Sequence, residues 1–88
     1  MVRVARWTEY HVREIDAHGD AIDLHVWDTL KEARDDYASS VARFSDPEAV
    51  ACSWERVVQY DTPGREHVYT LLGEHGDADA LLAWRGEA

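Results

Sequence analysis

Five histidines, one cysteine and eighteen carboxylates are the residues of this 88-residue chain whose types could do chemistry. Zinc needs three or four ligands converging with support behind them, and no HxH, HxxxH or His–Cys pairing at ligand spacing occurs here. A metal site is not expected; hydrogen-bonded surface histidines are. Cys52 precedes Ser53 and Glu55, but no nucleophile elbow or Cys–His signature surrounds it. It reads as a small hydrophobe at the start of a strand. Gly73, Gly76 and Gly86 form neither a GxGxxG nor a Walker pattern, so no phosphate loop is indicated. Asp35 and Asp36 fall on the expected solvent side of a helix, with no visible cleft to perturb them. The expectation is a non-enzymatic protein without a cofactor.

What remains is the clustering of acid. Glu14, Asp16, Asp20, Asp23 and Asp28 fall on one hairpin and its exits, and Glu32, Asp35 and Asp36 follow on the adjoining helix. Only Arg13, Lys31 and Arg34 oppose them. Ten Asp and eight Glu against eight Arg and one Lys give a net charge of -9. Phosphate is held by Lys and Arg, so direct binding of nucleic acid is excluded and a basic partner is favoured. Carboxylates two residues apart on a strand stand about 6.6 Å apart, close to the phosphate spacing of a nucleic-acid strand. The functional expectation is that this edge occupies a basic, nucleic-acid-binding surface of another protein, steered there electrostatically, with DNA mimicry as one mode. Trp27, beside Asp28 and turned away from the core face, would be the anchor. The plain alternative is an acidic surface serving solubility, with Trp27 packed under the C-terminal segment or buried with Trp84 in a homodimer.

The elements that must position these residues follow from patterning. Residues 4–16 carry Val4, Trp7, Tyr10, Val12 and Ile15 among polar residues, and Ala21–Trp27 alternates Ile22, Leu24 and Val26 with Asp23 and His25. Both read as strands joined by a turn in which Gly19 supplies a positive φ. A three-residue loop, His18-Gly19-Asp20, sets Val12 opposite Val26 and Glu14 opposite Leu24. Tyr10, Val12, Ile22, Leu24 and Val26 then share one face, and His11 and His25 share the other. A two-residue loop would instead place His11 and Arg13 among the aliphatics, and the first register is preferred on that ground.

A helix over 29–44 is signalled by the capping-box spacing of Thr29 and Glu32 and by a stripe of Leu30, Ala33, Tyr37, Val41 and Phe44. Ser45-Asp46-Pro47-Glu48 repeats the start signal and predicts a short helical segment over 46–50. Residues 51–60 form a third strand. The Thr62–Arg65 turn leads to a fourth over 66–72, and the apolar doublets 57/58 and 71/72 predict cover on both faces. Glu74-His75-Gly76 reads as a loop, and Asp77 caps a short helix bearing Ala80, Leu81 and Trp84.

These elements describe one α+β domain over 1–88, β-β-α-β-β, with an antiparallel sheet, one main helix packed on it and a short C-terminal helical segment. A chain this short buries only about 60–65% of its unfolded surface, so good packing or self-association is needed. The longest apolar run is Ala80–Trp84, and Met1–Trp7 holds two arginines, so neither a membrane span nor a signal peptide is expected. With Cys52 alone no internal disulfide forms, which points to a reducing, cytoplasmic setting.

The stretch from Tyr10 through the Gly19-Asp20 turn, His25-Val26-Trp27 and Thr29 to Ala33 resembles the strand, Gly-Asp turn, strand and capped-helix opening of small acidic phage and mobile-element proteins. These include host-defence inhibitors of the anti-CRISPR and anti-restriction type. The resemblance covers about a quarter of the chain and transfers no functional residue. It implies an inhibitor that blocks a host nucleic-acid-processing protein. An antitoxin is a variant of that reading, and a self-associating accessory domain is its rival.

Overall fold

A computed structural model describes residues 6–61, 64 and 66–86. The chain runs β1 (Arg6–Asp16), β2 (Ala21–Trp27), α1 (Leu30–Ala42), β3 (Ala49–Tyr60), β4 (Val68–Gly76) and α2 (Ala78–Trp84). All strands pair antiparallel in the order β2-β1-β3-β4. The expected α+β architecture, with its main helix and its C-terminal helix, is the one observed. Expected residues 4 and 5 of the first strand, and Thr62, Pro63 and Arg65 of the second turn, lie outside the described residues.

The register of the first hairpin corrects the preferred expectation. His11 faces Val26, Arg13 faces Leu24, and Val12 faces His25. The reversal Ala17-His18-Gly19 closes on Asp16, whose N–H and carbonyl pair with Asp20 and Gly19 at 2.9 and 3.0 Å. Asp16 Oδ1 also accepts the N–H groups of His18 and Asp20. Gly19 has φ 85°, the left-handed conformation such loops require. Past the loop, Ile15 faces Ala21 while Glu14 faces Asp23, so the register shifts by one residue. That bulge turns every later side chain of β2 to the other face. His11 and His25 therefore lie on opposite faces.

Tyr10, Val12 and Glu14, with Asp23, His25 and Trp27 and with Cys52 and Trp54, form the face that α1 covers. Thr29 caps α1, accepting the Glu32 N–H at 3.2 Å while donating its hydroxyl to the Glu32 carboxylate at 2.7 Å. The buried stripe of α1 differs from the aliphatic one expected. Ala33 and Ser40 are buried with Asp36 and Tyr37 between them, whereas Leu30 and Val41 stand exposed at its margins. The sheet beneath explains the rotation, because it offers polar partners. Ser40 donates to buried Glu14 at 2.9 Å, and the Tyr37 ring stacks on Trp54 with centroids 5.5 Å apart.

Two further expectations give way. No helix forms over 46–50: the Glu14 carboxylate takes the N–H groups of Ser45 and Asp46, both at 2.8 Å, and the chain turns directly into β3. Residues 74–76 continue β4 as a strand, because Gly73 lets it pass Trp54. A Cβ there would lie 2.5 Å from the indole nitrogen. On the opposite face α2 packs Ala80 and Leu81 on Ile15 and Ala51, with Val50 and Trp84 alongside. β4 is not covered on both sides, since Leu71 and Leu72 are exposed.

Candidate functional site

β2 ends with His25 and Trp27 two residues apart, so both point to the face under α1. Asp36, two turns beyond the Thr29 cap, is carried over them. Its Oδ2 accepts from Trp27 Nε1 at 2.8 Å and lies 2.8 Å from His25 Nδ1. The far ring nitrogen of His25 lies 3.3 Å from Asp23. With a carboxylate at each nitrogen, the protonated form of the imidazole is favoured. The hydrogen bond to Asp36 raises its pKa above 6.5, against the effect of burial, and the charges of Asp36, Asp23 and Glu14 add to the rise. His25 also meets the Trp27 ring edge to face, at 6.4 Å.

Outside this clamp an open groove of about 380 Å³ runs between the end of β2 and α1, lined by Trp27, Glu32, Asp35, Asp36 and Ser39. Lys31 pairs with Asp35 at 2.7 Å across one exposed helical turn and holds its carboxyl below the ordinary range. An indole bordered by three carboxylates is suited to a cationic side chain. A guanidinium would pair with the carboxylates and lie against the ring.

The nine sequence-derived site residues therefore separate. Trp27, Glu32, Asp35 and Asp36 line one groove, with Asp23 behind it through His25. Asp28 is exposed at the β2–α1 junction, and Asp16 and Asp20 belong to the hairpin loop at the other end of β2. Glu14 leaves the set. It is buried, and its oxygens are taken by Ser40, Ser45 and Asp46. Two expectations are corrected: Asp36 faces the sheet, and Trp27 lies half-buried beside Tyr10 on the α1 side. His25 and Ser39 join the site without being among its expected residues. The i, i+2 pairing of His25 with Trp27 was the available signal, readable only with the right register.

Cys52 is buried on the α1 face, and its thiol is pushed up to about 11 by burial, reinforced by Glu14. It therefore stays a protonated, inert thiol near neutral pH. Among the described residues no three or more His, Cys, Asp or Glu gather to hold a metal ion, and no helix is long and apolar enough to cross a membrane. Comparison of the chain with models of protein families, with curated proteins and with solved structures finds no match in any of the three.

Proposed function

We propose that the protein is a non-enzymatic binding module whose acidic groove receives a cationic side chain of a basic protein surface. The observation that carries this reading is the Trp27 indole set among Glu32, Asp35 and Asp36 in one groove. Asp20 and Asp28 add exposed negative charge at the two ends of β2, and a net charge of -9 favours fast, salt-sensitive encounter with a basic partner. Surfaces that hold nucleic-acid phosphate present such arginines and lysines. The partner class proposed is thus a nucleic-acid-binding protein, and the action is inhibition by occupying that surface, as in a phage-encoded inhibitor of host defence.

Titration with an arginine-rich peptide, followed by amide and indole NMR shifts at low and high salt, tests the groove directly. Expected are shifts at the Trp27 indole N–H and at residues 32–39 that fade with salt, and binding at least about tenfold weaker in Trp27→Ala/Asp35→Lys. Equal affinity in the variant, or shifts confined elsewhere, would overturn the reading.

A further inference from the structure

On the face opposite α1, α2 covers only the end of the sheet around Ile15 and Ala51. The remainder lies open, and the register orders it into rows: Leu24–Arg13–Ser53–Glu74, Val26–His11–Glu55–Leu71 and Glu9–Val57–Tyr69, with Trp7 beside Gln59 at the far end. Its centre is polar, with the side chains of Arg13, His11, Glu55 and Glu9 bonded to one another and Ser53 Oγ buried without a partner. Arg13 donates to Glu55 at 2.6 Å and to His11 Nδ1 at 3.2 Å, and its guanidinium lies 5.1 Å from the centre of the Trp84 ring. Glu9 takes His11 Nε2 and Trp7 Nε1 at 3.0 Å and Gln59 Nε2 at 2.5 Å. The margins are apolar: Leu24 and Val26 on β2, Tyr69 and Leu71 on β4, and Trp7 at the end, all between 45% and 54% exposed.

We propose that two copies of the chain pack face to face through this open half of the sheet, as a homodimer about an in-plane two-fold axis. Four observations select a second copy as the occupant. The first is charge. Two molecules of net charge -9 repel, and this face is where they can approach, because Arg13 pairs with Glu55 and the Glu9 carboxylate is covered by hydrogen bonds from His11, Trp7 and Gln59. The groove of Trp27, Asp35 and Asp36 stays on the far side.

The second is shape. α2 makes a shoulder at one end of the face, and both a helix on a sheet and a sheet on a sheet stand about 10 Å apart, so a second sheet fits the step that α2 creates. A two-fold axis in the interface plane and across the strands sets the two α2 shoulders at opposite ends and lays the apolar margin of one copy toward that of the other. The third is the thinness of the protomer. It measures 49 × 29 × 17 Å with a radius of gyration of 14.2 Å, where a compact chain of this length has about 12 Å. Ile15 and Val57 are its largest fully buried side chains, and Val57 belongs to this very face. So small a core calls for a constant partner, and a second copy is present wherever the chain is made.

The fourth is area. About eight uncovered residues on each of β1 and β3, about seven on β4 and about four on β2, at roughly 3.3 × 4.8 Å each, give a plane of roughly 430 Å² before side-chain relief is added. That approaches the roughly 600–800 Å² per partner that specific interfaces bury.

The experiment contains no basic partner, so its outcome is independent of the groove. Light scattering and sedimentation of the full chain, from micromolar to millimolar concentration, should give twice the 10.1 kDa chain mass. Val26→Lys/Leu71→Lys should weaken association at least about a hundredfold and yield a single-chain mass with an unchanged circular dichroism spectrum. Leu30→Lys, on the exposed margin of α1, should leave the dimer intact. On the unaltered protein, isotope-filtered NOEs between labelled and unlabelled chains should reach Leu24, Val26, Tyr69 and Leu71. A single-chain mass across the whole range overturns the proposal, as does a dimer indifferent to the double variant or intermolecular NOEs confined to other residues.

Discussion

His25 on β2 and Asp36 on α1 share one contact, 2.8 Å from Nδ1 to Oδ2, and the same carboxylate oxygen receives the Trp27 indole N–H. Strand, helix and groove wall are thereby tied at a single atom. Hydrogen bonds to a charged acceptor are among the stronger ones available, and here they set the orientation of the aromatic ring on which the proposed binding depends.

That contact predicts a particular pH dependence. The pKa of His25 is raised above 6.5 in the folded chain, first by the hydrogen bond to Asp36. Its stabilising contribution is therefore full below 6.5 and is lost as pH rises through the folded value. The ring is 43% exposed, so solvent screening holds the effect to a few tenths of a kcal/mol, about 2 °C in melting temperature. Melting curves across this window should show the loss in the native chain and not in His25→Gln. An equal slope in both would refute the assignment.

Glu14 predicts the opposite dependence. Burial pushes its carboxyl up, but the backbone N–H groups of Ser45 and Asp46, with the Ser40 hydroxyl, outweigh that and set it below 4.5. Its contribution is present above 4.5 and is lost as pH falls through the folded value. Glu14→Ala, which strands these donors, should lower stability by about 2–4 kcal/mol at neutral pH. Urea unfolding of the variant should also lose part of the acid sensitivity of the native chain.

A third prediction concerns the seat of α2. A Cβ on Gly19 would stand 2.5 Å from Ala83 Cβ and 2.9 Å from the Trp84 nitrogen, at a φ of 85°. Gly19→Ala should therefore lower stability by about 2–4 kcal/mol, by strain and by displacing α2. Hydrogen exchange should quicken through residues 78–84. Gly64→Ala, with comparable φ and open space around it, should lose only about 1 kcal/mol and leave α2 protected.

The elements were legible because their signals are local: the Thr29–Glu32 box, the Asp77 cap and the alternation of β2 each act within a few residues. The register was not, because the bulge beyond Ala21 has no glycine or proline to announce it, and the aliphatic side chains it turns outward look like core. The same blindness hid the site. The sequence pattern turns Asp36 to solvent because a helix is expected to bury hydrocarbon, whereas the sheet below presents His25, Trp27 and Glu14 to Asp36 and Ser40. A polar helix face becomes the buried one only when its partners across the fold are known, and those lie 9–26 residues away in the chain.

The strand order has a kinetic meaning. β1 is an inner strand that pairs along its whole length with β3, Arg6 meeting Tyr60, so the central ladder cannot close before β3 has been brought back over more than fifty residues of chain. Until then the β1–β2 hairpin and α1 have no platform, and a two-stranded hairpin alone is marginal in water. Folding is thus dominated by long-range pairing, which places this domain among slower folders for its size.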